Sequence, residues 1–189
     1  MNNTLFYLPG FNSGPQSEKS AQLKHAFPQL IVADYNTWDP DQGFQTLEAL
    51  VTPHLDRKPV LIGSSLGGFW SYYLACRHSL SCVLLNPCMA PENTLRPYIG
   101  AVQNRYSGAT GWLHEEDLQK YARYRFPGRP PCTVLHEKGD ELIPYQESIT
   151  NFEHKAELIL LEGGSHRFES VPRAIEEIQK MLDMCLNAP

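Results

Sequence analysis

The sequence predicts a three-layer α/β fold with about six parallel strands, and three observations carry that expectation. Short apolar runs recur at 5–8, 30–33, 59–62, 82–85, 133–136 and 158–161, each bounded by turn residues. The runs are almost continuously apolar rather than alternating, which is the pattern of strands covered on both faces. Segments with helical spacing lie between them. The resulting βαβα rhythm closes through right-handed crossovers and places ligand chemistry at the carboxyl ends of the strands.

In chain order, the first strand at 5–8 runs into a Pro-Gly loop, and 17–27 follows as a helix. A second helix spans 44–55, with Phe44, Leu47, Val51 and Leu55 on one stripe, and Pro53 is expected to kink or shorten it. The last helix carries Val171, Ile175, Ile178, Leu182 and Cys185 on one face. Ser170 is placed to cap it, and Pro172 stands in its tolerant first turn. Residues 87–129 break the rhythm. No strand pattern is evident there, and tyrosines, Trp112 and several arginines are interspersed, so the segment reads as a mostly helical cap insertion over the strand ends. Its aromatic residues either line a pocket or pack the insertion onto the rest. The whole chain, 1–189, reads as a single domain carrying this insertion.

Composition excludes several classes of function. With 42% hydrophobic and 20% charged residues and a net charge of -5, the chain has no basic footprint for nucleic acid. No apolar run approaches the roughly 18 residues needed to cross a bilayer, and residues 1–4 lack a signal-like basic and apolar pattern. Five scattered cysteines in mostly apolar surroundings suit reduced thiols, so a cytoplasmic location without disulfides is expected. No histidine or cysteine cluster has ligand spacing, so neither a metal nor another cofactor is expected. The oligomeric state is not readable.

The most informative stretch runs from Val60 through Gly63-Ser64-Ser65-Leu66-Gly67-Gly68 to Trp70. It reads as an apolar strand, a Gly-x-Ser-x-Gly turn and an apolar helix, the arrangement of the nucleophile elbow in α/β-hydrolases. Small residues at Gly63 and Gly67 let the turn close, and Ser65 at its apex meets the N–H groups of a helix N-terminus. Ser64 is the adjacent rival, one place off the glycine frame. A phosphate loop would need Lys and Ser or Thr where Phe69 and Trp70 stand.

A serine nucleophile needs a base, and the base needs an acid to set its tautomer. In this fold the chain order is serine, acid, histidine. Asp140 follows the 133–136 strand on a glycine loop and is the expected acid, with Glu137 and Glu141 as neighbours of the same chemistry. His166 follows the last strand after Gly163-Gly164-Ser165 and is the expected base; His136 precedes the acid, in the wrong order. The oxyanion of a tetrahedral intermediate needs two backbone donors. Leu66, next to the nucleophile, should supply one. Phe11, in the loop after the first strand, should supply the other, although Asn12 or Ser13 stands close enough to donate instead. Asn12, Ser13 and Trp38 are candidate substrate contacts.

Through Leu8-Pro9-Gly10-Phe11-Asn12-Ser13, the Gly63 to Gly68 turn, Leu84-Asn86-Pro87, Gly139-Asp140 and Gly163-Gly164-Ser165-His166, the chain resembles the YqiA-like family of small bacterial esterases nearly end to end. That resemblance implies an α/β-hydrolase fold, a strand order of 2-1-3-4-5-6 and carboxylic-ester hydrolysis by a triad falling on Ser65, Asp140 and His166. Pro9-Gly10 departs from the His-Gly of many α/β-hydrolases. The expected partner is thus a small acyl ester. A thioester substrate or acyl transfer is the alternative on the same triad, and a non-catalytic binding scaffold is the second.

Overall fold

The computed structural model describes residues 4–124, 126 and 128–187; Arg125 and Pro127 of the insertion and the extreme termini lie outside the described residues. The elements in order are β1 (Leu5–Leu8), α1 (Glu18–Ala26), β2 (Ile31–Val32), α2 (Pro40–Val51), β3 (Val60–Ser64), α3 (Leu66–His78) and β4 (Ser81–Leu85). There follow α4 (Pro91–Thr94), β5 (Gly100–Gln103), β6 (Thr110–Leu113), α5 (Glu115–Lys120), β7 (Cys132–Glu137), α6 (Tyr145–Phe152), β8 (Glu157–Leu161) and α7 (Val171–Asn187). Six strands form one parallel sheet in the order β2-β1-β3-β4-β7-β8, which is the expected 2-1-3-4-5-6 with the hairpin strands left out of the count.

The sheet separates two apolar cores, because successive side chains of each strand point to opposite faces. Leu5, Tyr7, Val60, Ile62, Val83, Leu85 and Leu135 join Leu23 of α1 and Ile178 of α7 on one face. Phe6, Leu8, Leu61, Leu84 and Val134 join Leu47 of α2, Trp70 of α3 and Phe152 of α6 on the other. Strands β1, β3 and β7 are buried throughout, as continuous apolar runs require. The edges differ. β2 and β8 are half-buried because each has a neighbour on one side only.

Local chemistry sets the helix ends. Ser17 caps α1 by accepting from the Ser20 N–H, and Asp39 caps α2 ahead of Pro40. α2 stops at Val51, and a 3-10 turn over Thr52–Arg57 carries Pro53, which lacks the N–H that would continue the helix. Ser170 precedes α7 and its carbonyl accepts from Ala174, but its hydroxyl turns to Glu137.

The insertion corrects one expectation. It holds an antiparallel hairpin, β5 paired with β6 in the register Ala101 to Trp112 and Val102 to Gly111, besides the short α4 and α5. Asn104 closes the hairpin: its Oδ1 accepts from the Tyr106 and Ser107 N–H groups, and Gly108 follows with a φ of 74°. Val102 and Leu113 point inward while Ala101 and Trp112 face solvent. Among the described residues no helix is long and apolar enough to cross a membrane.

Candidate active site

Ser65 stands where β3 turns into α3, with φ 53° and ψ -121°, a conformation that side chains rarely adopt. The chains cross too closely for anything but glycine on either side of it. A Cβ at Gly67 would collide with the carbonyls of Leu8 and Pro9, and one at Gly63 with the Gly67 carbonyl. The turn is stitched to the end of β4: the Ser65 N–H donates to Leu85, and its carbonyl accepts from Cys88. Its hydroxyl makes no protein hydrogen bond among the described residues, and the residue is part-exposed. Ser64, by contrast, is 4% exposed, and its Oγ accepts from Lys19 Nζ at 2.7 Å.

Asp140 and His166 meet. His166 Nδ1 lies 2.9 Å from Asp140 Oδ2 and 3.0 Å from Oδ1. Burial opposes charge on Asp140, but the His166 hydrogen bond and those from the Ile143 and Leu142 N–H groups outweigh it and hold the carboxyl below its ordinary range. The structure separates the rivals by their contacts. His136 is fully buried, with Nδ1 on the Ser148 hydroxyl and Nε2 on the Ile143 carbonyl, and burial pushes its pKa down. Glu141 accepts from the His166 N–H rather than from the ring.

Glu137 has a different task, which the sequence did not reveal. Its carboxylate accepts from the backbone N–H groups of Ser165, Glu169 and Ser170, gripping the histidine loop on both sides of His166. Asn86 completes the grip. From the end of β4, with a φ of 43°, it accepts the Glu137 N–H on Oδ1 and donates from Nδ2 to the Ser165 carbonyl. Asn86 therefore ties the strand end beside Ser65 to the residue preceding His166.

Burial works against the Glu137 charge, yet hydrogen bonds from the Ser170 hydroxyl and the three N–H groups hold its pKa below 4.5. A depressed folded pKa adds stability that is present above the unfolded value and lost as pH falls through the folded one. Glu137→Gln should therefore destabilise the fold at pH 7 by about 2 kcal/mol, the loss expected for hydrogen bonds to a charged group. It should also flatten the decline in melting temperature below pH 4.5. Acid melting curves of equal slope in both proteins would contradict this.

The loop after β1 lies against Ser65: a Cβ at Gly10 would stand 3.1 Å from Ser65 Cβ. Two of the three candidate donors in it are already used. The Asn12 N–H donates to Thr37 Oγ1 and the Ser13 N–H to the Gly10 carbonyl. The N–H groups of Phe11 and Leu66 donate to no protein acceptor among the described residues. Asn12, Ser13 and Trp38 serve the loop's own architecture. Trp38 Nε1 donates to Asn12 Oδ1, the Arg105 N–H to the Asn12 carbonyl, and Asn104 Nδ2 to the Ser13 carbonyl, so the hairpin braces this loop. Of the insertion's aromatics, Tyr121 and Tyr124 pack on Trp70, and Tyr98 meets Phe11 with ring centroids 5.4 Å apart.

Comparison with known proteins places this geometry in context. The family model described as Uncharacterised protein family (UPF0227) matches residues 4–183. The UPF0227 protein YcfP of Escherichia coli O9:H4 (strain HS) is 24% identical over 181 residues, covering 93% of this chain and 96% of the relative. Among solved structures, alpha/beta hydrolase domain-containing protein 10 from mouse matches with a TM-score of 0.77 at 16% identity, over 97% of this chain and 91% of that one. Est1E from Butyrivibrio proteoclasticus matches with a TM-score of 0.76 at 15% identity, over 97% and 90%. The fold is that of the α/β-hydrolases, as the sequence led one to expect.

Proposed function

We propose that this chain, which belongs to the uncharacterised protein family UPF0227, is a serine hydrolase that cleaves carboxylic esters through an acyl-enzyme intermediate. The observation that carries the reading is the Asp140–His166 hydrogen bond in loops that follow β7 and β8, at the same carboxyl edge of the sheet where Ser65 is held at positive φ on a helix N-terminus after β3. A carboxylate on Nδ1 fixes that nitrogen as the proton-bearing one and leaves Nε2 free to accept. Triad contacts to the nucleophile are commonly loose before substrate binds, so an unbonded Ser65 hydroxyl suits a resting site.

In the proposed cycle, His166 Nε2 takes the Ser65 proton as Oγ attacks the ester carbonyl. The N–H groups of Leu66 and Phe11 receive the oxyanion, in a site where each donor is worth about 2.7–4 kcal/mol. Collapse expels the alcohol, which leaves with the proton from His166. Water, deprotonated by the same imidazole, then attacks the acyl-enzyme and releases the acid and Ser65.

The test is covalent labelling with a fluorophosphonate followed by peptide mass spectrometry, beside hydrolysis of p-nitrophenyl esters and matched thioesters of rising chain length. Label on Ser65 with ester turnover is the expected result. Turnover of thioesters alone would move the substrate class, and absence of both label and turnover would leave the binding-scaffold reading.

A further inference from the structure

Lysine 19 sits in the first turn of α1, a position that on sequence grounds alone belongs to solvent. In the folded chain it is half-buried. Its Nζ donates to Ser64 Oγ at 2.7 Å, next to the nucleophile, and lies 5.7 Å from the centroid of the Phe168 ring, two residues past His166. The helix that carries it is anchored on the loop facing Ser65. The Ser17 N–H and the Ser20 hydroxyl both donate to the Gly14 carbonyl, and the Ser17 and Ser20 hydroxyls bond to each other at 2.7 Å. One ammonium thus links the element after the oxyanion loop, the nucleophile strand and the histidine loop.

Resting on the hydrolase reading above, we propose that Lys19 is a positioning residue whose ammonium holds the His166 loop against the nucleophile turn. The contacts it makes are those of a cation: a ring face, a hydroxyl oxygen, and two carboxylates within electrostatic reach, Glu137 of β7 and Asp140 of the loop that follows. Glu137 is the group that grips the loop amides, so the lysine charge and the loop's anchor act on each other. From β1, Tyr7 places its hydroxyl on Ser64, and burial keeps that phenol neutral far into alkali. α7 meets α1 through an apolar cluster that includes Leu23, Phe27, Val171 and Ile178.

Burial lowers the Lys19 pKa to about 8, against the pull of Glu137 and Asp140. The sign matters. A lysine whose folded pKa lies below its unfolded one is charged at pH 7 at a cost to the fold, and that cost disappears as pH rises and the amine becomes neutral. Being protonated at neutral pH, Lys19 also cannot serve as a base for Ser64, whose hydroxyl already accepts its hydrogen bond.

The experiment compares wild type, Lys19→Met and Lys19→Arg in three readouts: melting temperature, hydrogen exchange of the Ser165, Phe168 and Glu169 amides, and the rate of fluorophosphonate labelling from pH 6 to 10. Lys19→Met should melt no lower than wild type, exchange the loop amides roughly tenfold faster, and label about tenfold more slowly at pH 7. Wild-type labelling should fall above pH 8, and that fall should be missing in Lys19→Met. Lys19→Arg should recover the neutral rate and loop protection, with no alkaline fall up to pH 10. Unchanged loop exchange in Lys19→Met, superimposable pH profiles, a melting temperature that drops in step with labelling, or label on Ser64 would each overturn the proposal. If wild type takes no label at any pH, the hydrolase reading fails by itself. Loop exchange then decides the role of Lys19: faster in Lys19→Met with recovery in Lys19→Arg upholds it, and no change overturns it.

Discussion

Replacing Ser65 by alanine is expected to reduce ester hydrolysis at least about ten-thousand-fold, because the rest of a triad cannot act without its nucleophile. Stability should change by less than about 1 kcal/mol, since the hydroxyl bonds to no protein group among the described residues and alanine keeps the same strained turn. Ser65→Gly separates the two consequences of this position. A non-glycine residue in such a region carries about 1–3 kcal/mol of strain, while glycine costs about 0.5–1 kcal/mol in chain entropy. The glycine variant should therefore be inactive yet more stable than wild type by about 1 kcal/mol. Chemical denaturation beside an ester assay reads both quantities. A glycine variant that is both inactive and less stable would show that the turn is held by the serine side chain rather than in spite of it.

The sheet was legible because strands covered on both faces leave continuous apolar runs, and β1, β3, β4 and β7 carry them. The hairpin was not, for a physical reason: each of its four-residue strands has a single buried residue, Val102 or Leu113, so no run or alternation stands out. The turn at Asn104 to Gly108 was its one readable sign. Chain order admits Glu137, Asp140 and Glu141 alike, and Gly139 was the one local sign favouring Asp140; the separate contacts of the three depend on how the Gly139 turn packs on Gly163, where the Gly139 N–H donates to the Gly163 carbonyl at 2.7 Å. Lys19 was invisible because helical spacing marks it as a surface cation. Its burial arises only when α1, β3 and the histidine loop converge, a contact between residues 45 positions apart. Asn86 is similar, since its two partners come from β7 and from 79 positions downstream.

Asp140→Asn is the second large effect, and its cause can be followed atom by atom. Asp140 Oδ1 accepts from the Leu142 N–H at 2.9 Å and the Ile143 N–H at 2.8 Å and lies 3.0 Å from His166 Nδ1, while Oδ2, with no backbone donor, stands 2.9 Å from His166 Nδ1 and 3.6 Å from His136 Nε2. An asparagine must keep its carbonyl oxygen on the two backbone donors, so its amide nitrogen takes the place of Oδ2. It then presents N–H where the imidazole presented N–H. His166 answers by accepting on Nδ1 and carrying its proton on Nε2, which turns the base toward Ser65 in the form that cannot accept. With the geometry otherwise kept, turnover should fall about ten-thousand-fold near neutral pH, the size of effect produced by a wrong tautomer. Asp140→Glu should fare differently: it keeps the acceptor chemistry but lengthens the side chain in a fully buried slot, so it loses geometry rather than tautomer. Nitrogen NMR of the ring, with Nδ1 observed unprotonated in Asp140→Asn and protonated in wild type, checks the tautomer independently of turnover. An asparagine variant that keeps wild-type activity would remove Asp140 from the site and with it the assignment of His166 as base.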